Sequence, residues 1–241
     1  MIKWKWILNK YSLALFFMAI NLVSLNWISK PQELKAGYWR AAIERPDGQQ
    51  IVFNFESKDS VGKSVIYVIN AGERLLVDSI EMRGDSVIIE MPFFESGFRA
   101  KVNAEGNLQG IWIKKYGKVI QTLPFNAEYN VKQRFEVSSP AVANISGRWS
   151  TFFKGKDNKI SIITSEFKQT GSHVTGTFLD PTGDYRFLEG VVSHDSLKLS
   201  GFDGGHAFLF TAKIDNKNQI SGGKFYSGAK STSDWYAKRN A

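Results

Sequence analysis

An alternation of apolar and polar side chains, with a period of two residues, runs through almost the whole sequence after Pro31. Ile51, Phe53 and Phe55 share one parity, for example, and the polar Asn54 lies between two of them. This period is typical of β-strands that bury one face. Short runs of Gly, Pro, Asn and Asp separate the alternating segments, as turns require. The pattern predicts an all-β chain with no amphipathic helix after residue 36.

The β-rich region also repeats itself. Gly37-Tyr-Trp39 matches Gly147-Arg-Trp149, and Asp85-Ser-Val87 matches Asp195-Ser-Leu197, each with an offset of 110 residues. Each copy divides into eight strand-like segments, and closing a meander into a barrel removes its exposed edges. We therefore predict two tandem eight-stranded antiparallel meanders or barrels, and the Gly-x-Trp opening of the first strand resembles the start of lipocalin and avidin-like barrels. The alternative is one merged sheet system.

The predicted organisation has four parts, with a signal or anchor helix placed before the two copies. They are a signal peptide or membrane anchor at residues 1–30, copy 1 at 37–129, a linker at 130–146 and copy 2 at 147–241.

The first 30 residues are typical of an export signal. Lys3, Lys5 and Lys10 precede an apolar run at residues 11–28, and a basic start before an apolar stretch is the form of a secretory signal. The run is near the lower length limit for spanning a bilayer, so an uncleaved segment would anchor the chain in the membrane. We expect the β-rich region in the periplasm or cell envelope. The alternative is a buried N-terminal helix.

Composition excludes several classes of function. The chain has no cysteine, which excludes disulfides, thiolate metal sites and cysteine nucleophiles. Its net charge is +8, but four of the lysines lie in residues 1–30, which hold no acidic residue. Nucleic-acid binding needs a concentrated basic face, so we do not expect it. The three histidines lie far apart in sequence, and we expect neither a metal site nor a cofactor.

A few polar and aromatic residues of copy 2 are candidates for a ligand-binding site. Asp184 and His206 open predicted strands, which places them near one mouth of a barrel, and Asp203 lies in the turn before His206. A histidine flanked by carboxylates binds anions, metals or protons; the alternative is a hairpin turn whose polar groups cap the backbone. The aromatic candidates are Tyr185, Trp149 and Trp235, and the alternative for the tryptophans is the barrel core. We identify no catalytic residue.

Several stretches of copy 2 resemble a known protein family. They are Phe167–Gly171, Val174–Gly190, Gly205–Ala212 and Gly222–Gly228. These resemble the β-rich region that precedes the redox module in bacterial cell-envelope thioredoxin-like proteins of the TlpA/redoxin type. The resemblance implies a thioredoxin fold carrying Cys-x-x-Cys after Ala241. Because this sequence has no cysteine, no catalytic residue of the family carries over, and thiol–disulfide exchange is not expected of it.

Three functions remain open from the sequence. The first is a non-catalytic accessory region of an exported thiol–disulfide system, with a thioredoxin-like module or an envelope client as partner. The second is a stand-alone lipocalin-like carrier of a small apolar ligand. The third, an enzyme acting through Asp184, Asp203 and His206, is the least favoured. The sequence is compatible with either a truncated or a stand-alone chain.

Overall fold

The computed structural model describes residues 34–155 and 157–239, and the expected signal at residues 1–30 lies outside this part. The first copy contains nine strands, which are β1 (Gly37–Glu44), β2 (Gln50–Ser60), β3 (Lys63–Asn70), β4 (Glu73–Val77), β5 (Ser79–Arg83), β6 (Ser86–Glu90), β7 (Ser96–Val102), β8 (Leu108–Tyr116) and β9 (Val119–Tyr129). The second copy contains eight, which are β10 (Gly147–Lys154), β11 (Ile160–Thr170), β12 (His173–Leu179), β13 (Tyr185–Ser193), β14 (Ser196–Phe202), β15 (Ala207–Asn216), β16 (Gln219–Ser227) and β17 (Ser231–Arg239).

Both copies are antiparallel meanders, which confirms the predicted fold class. The second sheet closes into a barrel because β10 pairs with both β11 and β17. The first sheet runs in the order β4-β3-β2-β1-β9-β8-β7-β6-β5 and is nearly closed, with its gap between β4 and β5. The sequence segment 74–82 reads as one strand, but the structure interrupts it at Asp78, which produces the ninth strand and the gap.

The two copies share their strand register as well as their strand order. Trp39 pairs with Phe55 and Tyr129, and Trp149, 110 residues later, pairs with Ser165 and Arg239. Both residues of each Trp39 pair are thus replaced by the residues 110 positions later in the corresponding Trp149 pair. The indole N–H of each tryptophan donates to the carbonyl oxygen four residues earlier, at Lys35 and Ile145. The conserved register and the repeated hydrogen bond indicate two versions of one structural unit.

The two sheets share a core. Phe202, at the end of β14 in the second barrel, is 2% exposed and packs among aromatic side chains of the first sheet. Its ring centroid lies 4.3 Å from Phe53, 5.6 Å from Phe98 and 5.9 Å from Trp112. The backbone of Phe202 is also held from the first sheet, because the Asn70 amide donates to its carbonyl oxygen at 2.7 Å and accepts from its N–H at 3.2 Å.

The segment between the two copies contributes to this junction. Arg134 is 5% exposed, and its guanidinium donates to the Ile69 carbonyl oxygen at 2.6 Å and to the Ser200 carbonyl oxygen at 3.1 Å. It also pairs with the Glu189 carboxylate at 3.2 Å. Burial lowers the pKa of Arg134 to about 10, against the opposing charge of Glu189, so the guanidinium is protonated at neutral pH. Arg134 therefore joins both sheets.

No helix within residues 34–155 and 157–239 is long and apolar enough to cross a membrane.

Candidate functional site

A pocket of about 600 Å³ lies where one mouth of the second barrel meets the first sheet. Four of the six residues proposed from the sequence line it, namely Asp184, Tyr185, Asp203 and His206. The first sheet contributes Asn70 at the end of β3 and Glu73 at the start of β4, and the second barrel adds Ser227 at the end of β16 and Ser231 at the start of β17. Asp184 and His206 thus lie beside the same pocket, together with Tyr185 and Asp203.

Asp203 shapes the loop that carries His206. Its carboxylate accepts from the backbone N–H groups of Gly205 at 3.0 Å and His206 at 2.6 Å, and lies 2.9 Å from the His206 Nδ1 atom. Burial alone would raise the pKa of Asp203, but the bonds to the His206 side chain and backbone lower it. These bonds are those of a hairpin turn whose carboxylate caps the backbone, and the same carboxylate orients the imidazole of His206.

The first sheet fixes the same loop from the other side. The Ser96 hydroxyl donates to the Gly204 carbonyl oxygen at 2.6 Å, and the buried Lys114 ammonium donates to the Gly205 carbonyl oxygen. The ring of Phe94 packs edge-on against His206, with 4.9 Å between the centroids. The loop is therefore held rigidly between the two sheets, which favours a preformed pocket wall.

A β-bulge in β13 shapes the opposite wall. Gly176 of β12 pairs with Leu188 and Phe178 pairs with Tyr185, so a step of two residues on β12 faces a step of three on β13. The additional residue places Phe187 in the left-handed region, with φ of 56°, and leaves its side chain 43% exposed. A bulky residue seldom adopts this conformation, and bulges beside binding sites redirect side chains. The bulge directs Phe187 to the rim of the pocket.

Three polar groups of this wall have no partner among the residues that the structure describes. Within the described part of the chain, the Asp184 carboxylate, the Arg186 guanidinium and the Tyr185 hydroxyl form no hydrogen bond or ion pair. Burial, and then the charge of Asp180, raises the pKa of Tyr185, so its hydroxyl remains a donor at neutral pH. An acceptor, a cationic donor and a neutral donor thus remain available to a ligand.

The two candidate tryptophans lie elsewhere. Trp149 and Trp235 are 0% and 2% exposed and belong to the core of the second barrel, away from the pocket lining. Aromatic rings fill that interior, with Phe178 and Phe210 stacked at 4.5 Å and Phe210 and Phe225 stacked at 4.4 Å. An eight-stranded barrel has room for its own side chains or for one small ligand. Because side chains occupy this interior, the mouth is the better place for a ligand.

A second pocket, of about 550 Å³, is less suited to specific binding. It lies along the segment between the two copies, and its lining includes Arg40, Gln49, Glu128 and Lys198. The Arg40 guanidinium already donates to the Arg134 carbonyl oxygen at 3.0 Å, and the lining contains one aromatic side chain, Phe135. Across the described residues, no group of three or more His, Cys, Asp or Glu side chains is arranged to hold a metal ion.

Sequence reasoning missed the residues that the bulge and the first sheet supply. Arg186 and Phe187 belong to a strand whose alternation changes phase, because Tyr185 and Phe187 have odd numbers whereas the buried Leu188 and Val192 have even numbers. This change of phase is a sequence signal for a bulge. Nothing in the sequence associates Asn70 with the second copy, since their approach depends on how the two sheets pack.

The resemblance to the β-rich region of TlpA/redoxin-type proteins stays a prediction. Comparisons with protein-family models, curated proteins and solved structures found no match to this chain.

Proposed function

We propose that the chain is a non-catalytic binding module that takes a small ligand in the pocket between the two sheets. One observation carries the proposal, namely that unpartnered polar groups and aromatic side chains line the same preformed concavity. Binding sites for small molecules are typically concave, with apolar and aromatic walls and a few convergent polar groups. Asp184, Arg186 and the Tyr185 hydroxyl supply the polar groups, and Phe187, Phe208 and Phe225 supply aromatic surface.

Binding is a better account of this site than catalysis. The Asp203 carboxylate already accepts two backbone N–H groups and the imidazole of His206, which is the arrangement of a turn-forming carboxylate. A nucleophile next to a base is the usual signature of covalent catalysis, and no serine or threonine hydroxyl donates to His206 among the described residues. We therefore assign His206 to the wall of the pocket.

Blocking the pocket tests the proposal. Ser231 lines it from β17, whereas Thr232, the next residue of that strand, is exposed outside the lining. Ligand-observed NMR with the full chain and a library of sugars, amino acids and aromatic acids should detect binders. Ser231→Trp should abolish their binding, and Thr232→Trp should preserve it. Equal binding by both variants, or no binder for the unmodified chain, would remove the pocket from consideration.

The accessory role in an exported thiol–disulfide system is a second candidate, and its support is the signal-like N-terminus together with the quoted stretches of copy 2. Its first requirement is export. Alkaline phosphatase fused after Ala241 should be active in intact bacteria, and replacing Leu15 and Phe16 by Asp should abolish that activity. An active fusion with the Asp replacements would show that the apolar run does not direct export.

A further inference from the structure

We propose that the ligand of this pocket is a carbohydrate, whose ring stacks on Phe187 and whose hydroxyl groups bind Asp184 and Arg186. This inference rests on the proposed function, because it names the ligand class of the same pocket. It depends on the charge and hydrogen-bonding capacity of the lining rather than on the volume of the pocket.

The charges of the lining disfavour simple ions. Glu73, Asp184 and Asp203 are acidic and Arg186 is basic, so these four side chains together carry an excess of negative charge. An anionic ligand would meet three carboxylates, whereas a small cation, although the carboxylates attract it, would leave the donor-only guanidinium of Arg186 without an acceptor. Like charges held close together in a site cost free energy, so a neutral ligand fits this mixture better.

The unpartnered polar groups disfavour a purely apolar ligand. Such a ligand would cover the Asp184 carboxylate, the Arg186 guanidinium and the Tyr185 hydroxyl without replacing their bonds to water. Polar groups that lose water and gain no partner cost free energy, and charged groups cost more. A hydroxyl group both donates and accepts, so neighbouring hydroxyls of one sugar satisfy an acceptor-only carboxylate and a donor-only guanidinium together.

The aromatic side chain at the rim provides the complementary surface. Phe187 is 43% exposed, and the bulge of β13 holds it in a left-handed conformation that is unfavourable for phenylalanine. The negative face of an aromatic ring attracts positively polarised C–H groups, and one face of many sugar rings consists of such groups. An exposed ring beside Asp184 and Arg186 therefore suits a ligand with an apolar face and a polar edge.

The experiment is a glycan array probed with the fluorescently labelled full chain, in a detergent that has no sugar head group. We expect binding to a subset of neutral oligosaccharides, followed by calorimetric titration with the best of them in free form. Phe187→Ala and Asp184→Asn should each weaken that binding at least tenfold. Phe187→Tyr should retain it, because an aromatic face remains.

Phe93→Ala provides the matched control, since Phe93 is 59% exposed and does not line the pocket; its affinity should equal that of the unmodified chain. If no glycan binds while other library compounds bind and are lost in Ser231→Trp, the carbohydrate inference is overturned and the proposed function stands. If glycans bind equally well to Ser231→Trp, the carbohydrate site lies outside this pocket and the inference is wrong. If neither glycans nor library compounds bind, both proposals fail.

Discussion

Replacing Phe202 by Ala should destabilise both sheets, although the residue belongs to the second barrel. Its side chain is 2% exposed and packs against Phe53, Phe98 and Trp112 of the first sheet. Truncation of a buried phenylalanine to alanine costs about 3–5 kcal/mol, from lost apolar transfer and the cavity left behind. Because folded domains have a free energy of unfolding of about 5–15 kcal/mol, this loss is a large fraction of the total.

Urea unfolding followed by tryptophan fluorescence is the appropriate assay, since Trp112 lies 5.9 Å from the Phe202 ring. We expect the unmodified chain to unfold in a single transition. In Phe202→Ala we expect the midpoint to fall and the transition to separate into two, because the shared core no longer couples the sheets.

The control is Phe178→Ala, which removes an equally buried ring whose aromatic contacts lie within the second barrel. It should lower the midpoint by a similar amount while the transition stays single, because the shared core that couples the two sheets is intact. A loss below about 1 kcal/mol for Phe202→Ala would refute the reasoning, because it would mean that the ring is not part of the first sheet's core.

Three other predictions concern the junction and the strained wall. Arg134→Leu should cost about 3 kcal/mol in urea unfolding, because it removes the cationic partner of Glu189 and the donor to the buried acceptors at Ile69 and Ser200; a neutral effect would contradict the assigned bonds. Burial would raise the pKa of Glu189, but the charge of Arg134 and the hydrogen bond from His173 lower it below 4.5. The ionised Glu189 therefore contributes its full stabilisation above about pH 4.5, and this stabilisation is lost as the pH falls through the lower folded pKa. In Glu189→Gln, the urea midpoint should consequently fall less steeply between pH 5 and 3 than in the unmodified chain. An equally steep fall in both proteins would count against the ion pair. Phe187→Gly should raise the free energy of unfolding by about 0.5–1 kcal/mol, since glycine tolerates positive φ, while ligand binding is lost; a destabilised variant would show that the conformation of Phe187 carries no strain.

The strands were predictable because their determinants are local. Alternation and turn residues locate most strand boundaries to within a few residues, and the offset of 110 between the copies reappears in the pairing of Trp39 and Trp149. The interruption at Asp78 was missed, although the sequence carries a signal for it: the inward-facing apolar residues have odd numbers before it, at Leu75 and Val77, and even numbers after it, at Ile80 and Met82.

The site was predictable only where turn position determines it. Asp184, Asp203 and His206 follow from the rule that turns lie at barrel mouths. The positions of Trp149 and Trp235 show the limit of the reasoning, because a tryptophan in a strand suits a pocket and a core equally well by pattern alone. The segment between the copies illustrates the same limit, because a polar stretch contains Arg134, a buried residue at the centre of the junction.

The most direct test of the account is to map ligand contacts on the full, deuterated chain by amide chemical-shift perturbation, using the best binder from the NMR library. The account predicts that the largest shifts fall together in four segments from both sheets, at residues 70–73, 182–187, 203–206 and 227–231. Shifts concentrated around Arg40, Gln49 and Lys198, or among residues of the barrel interior such as Trp235, would contradict the assignment of the binding site.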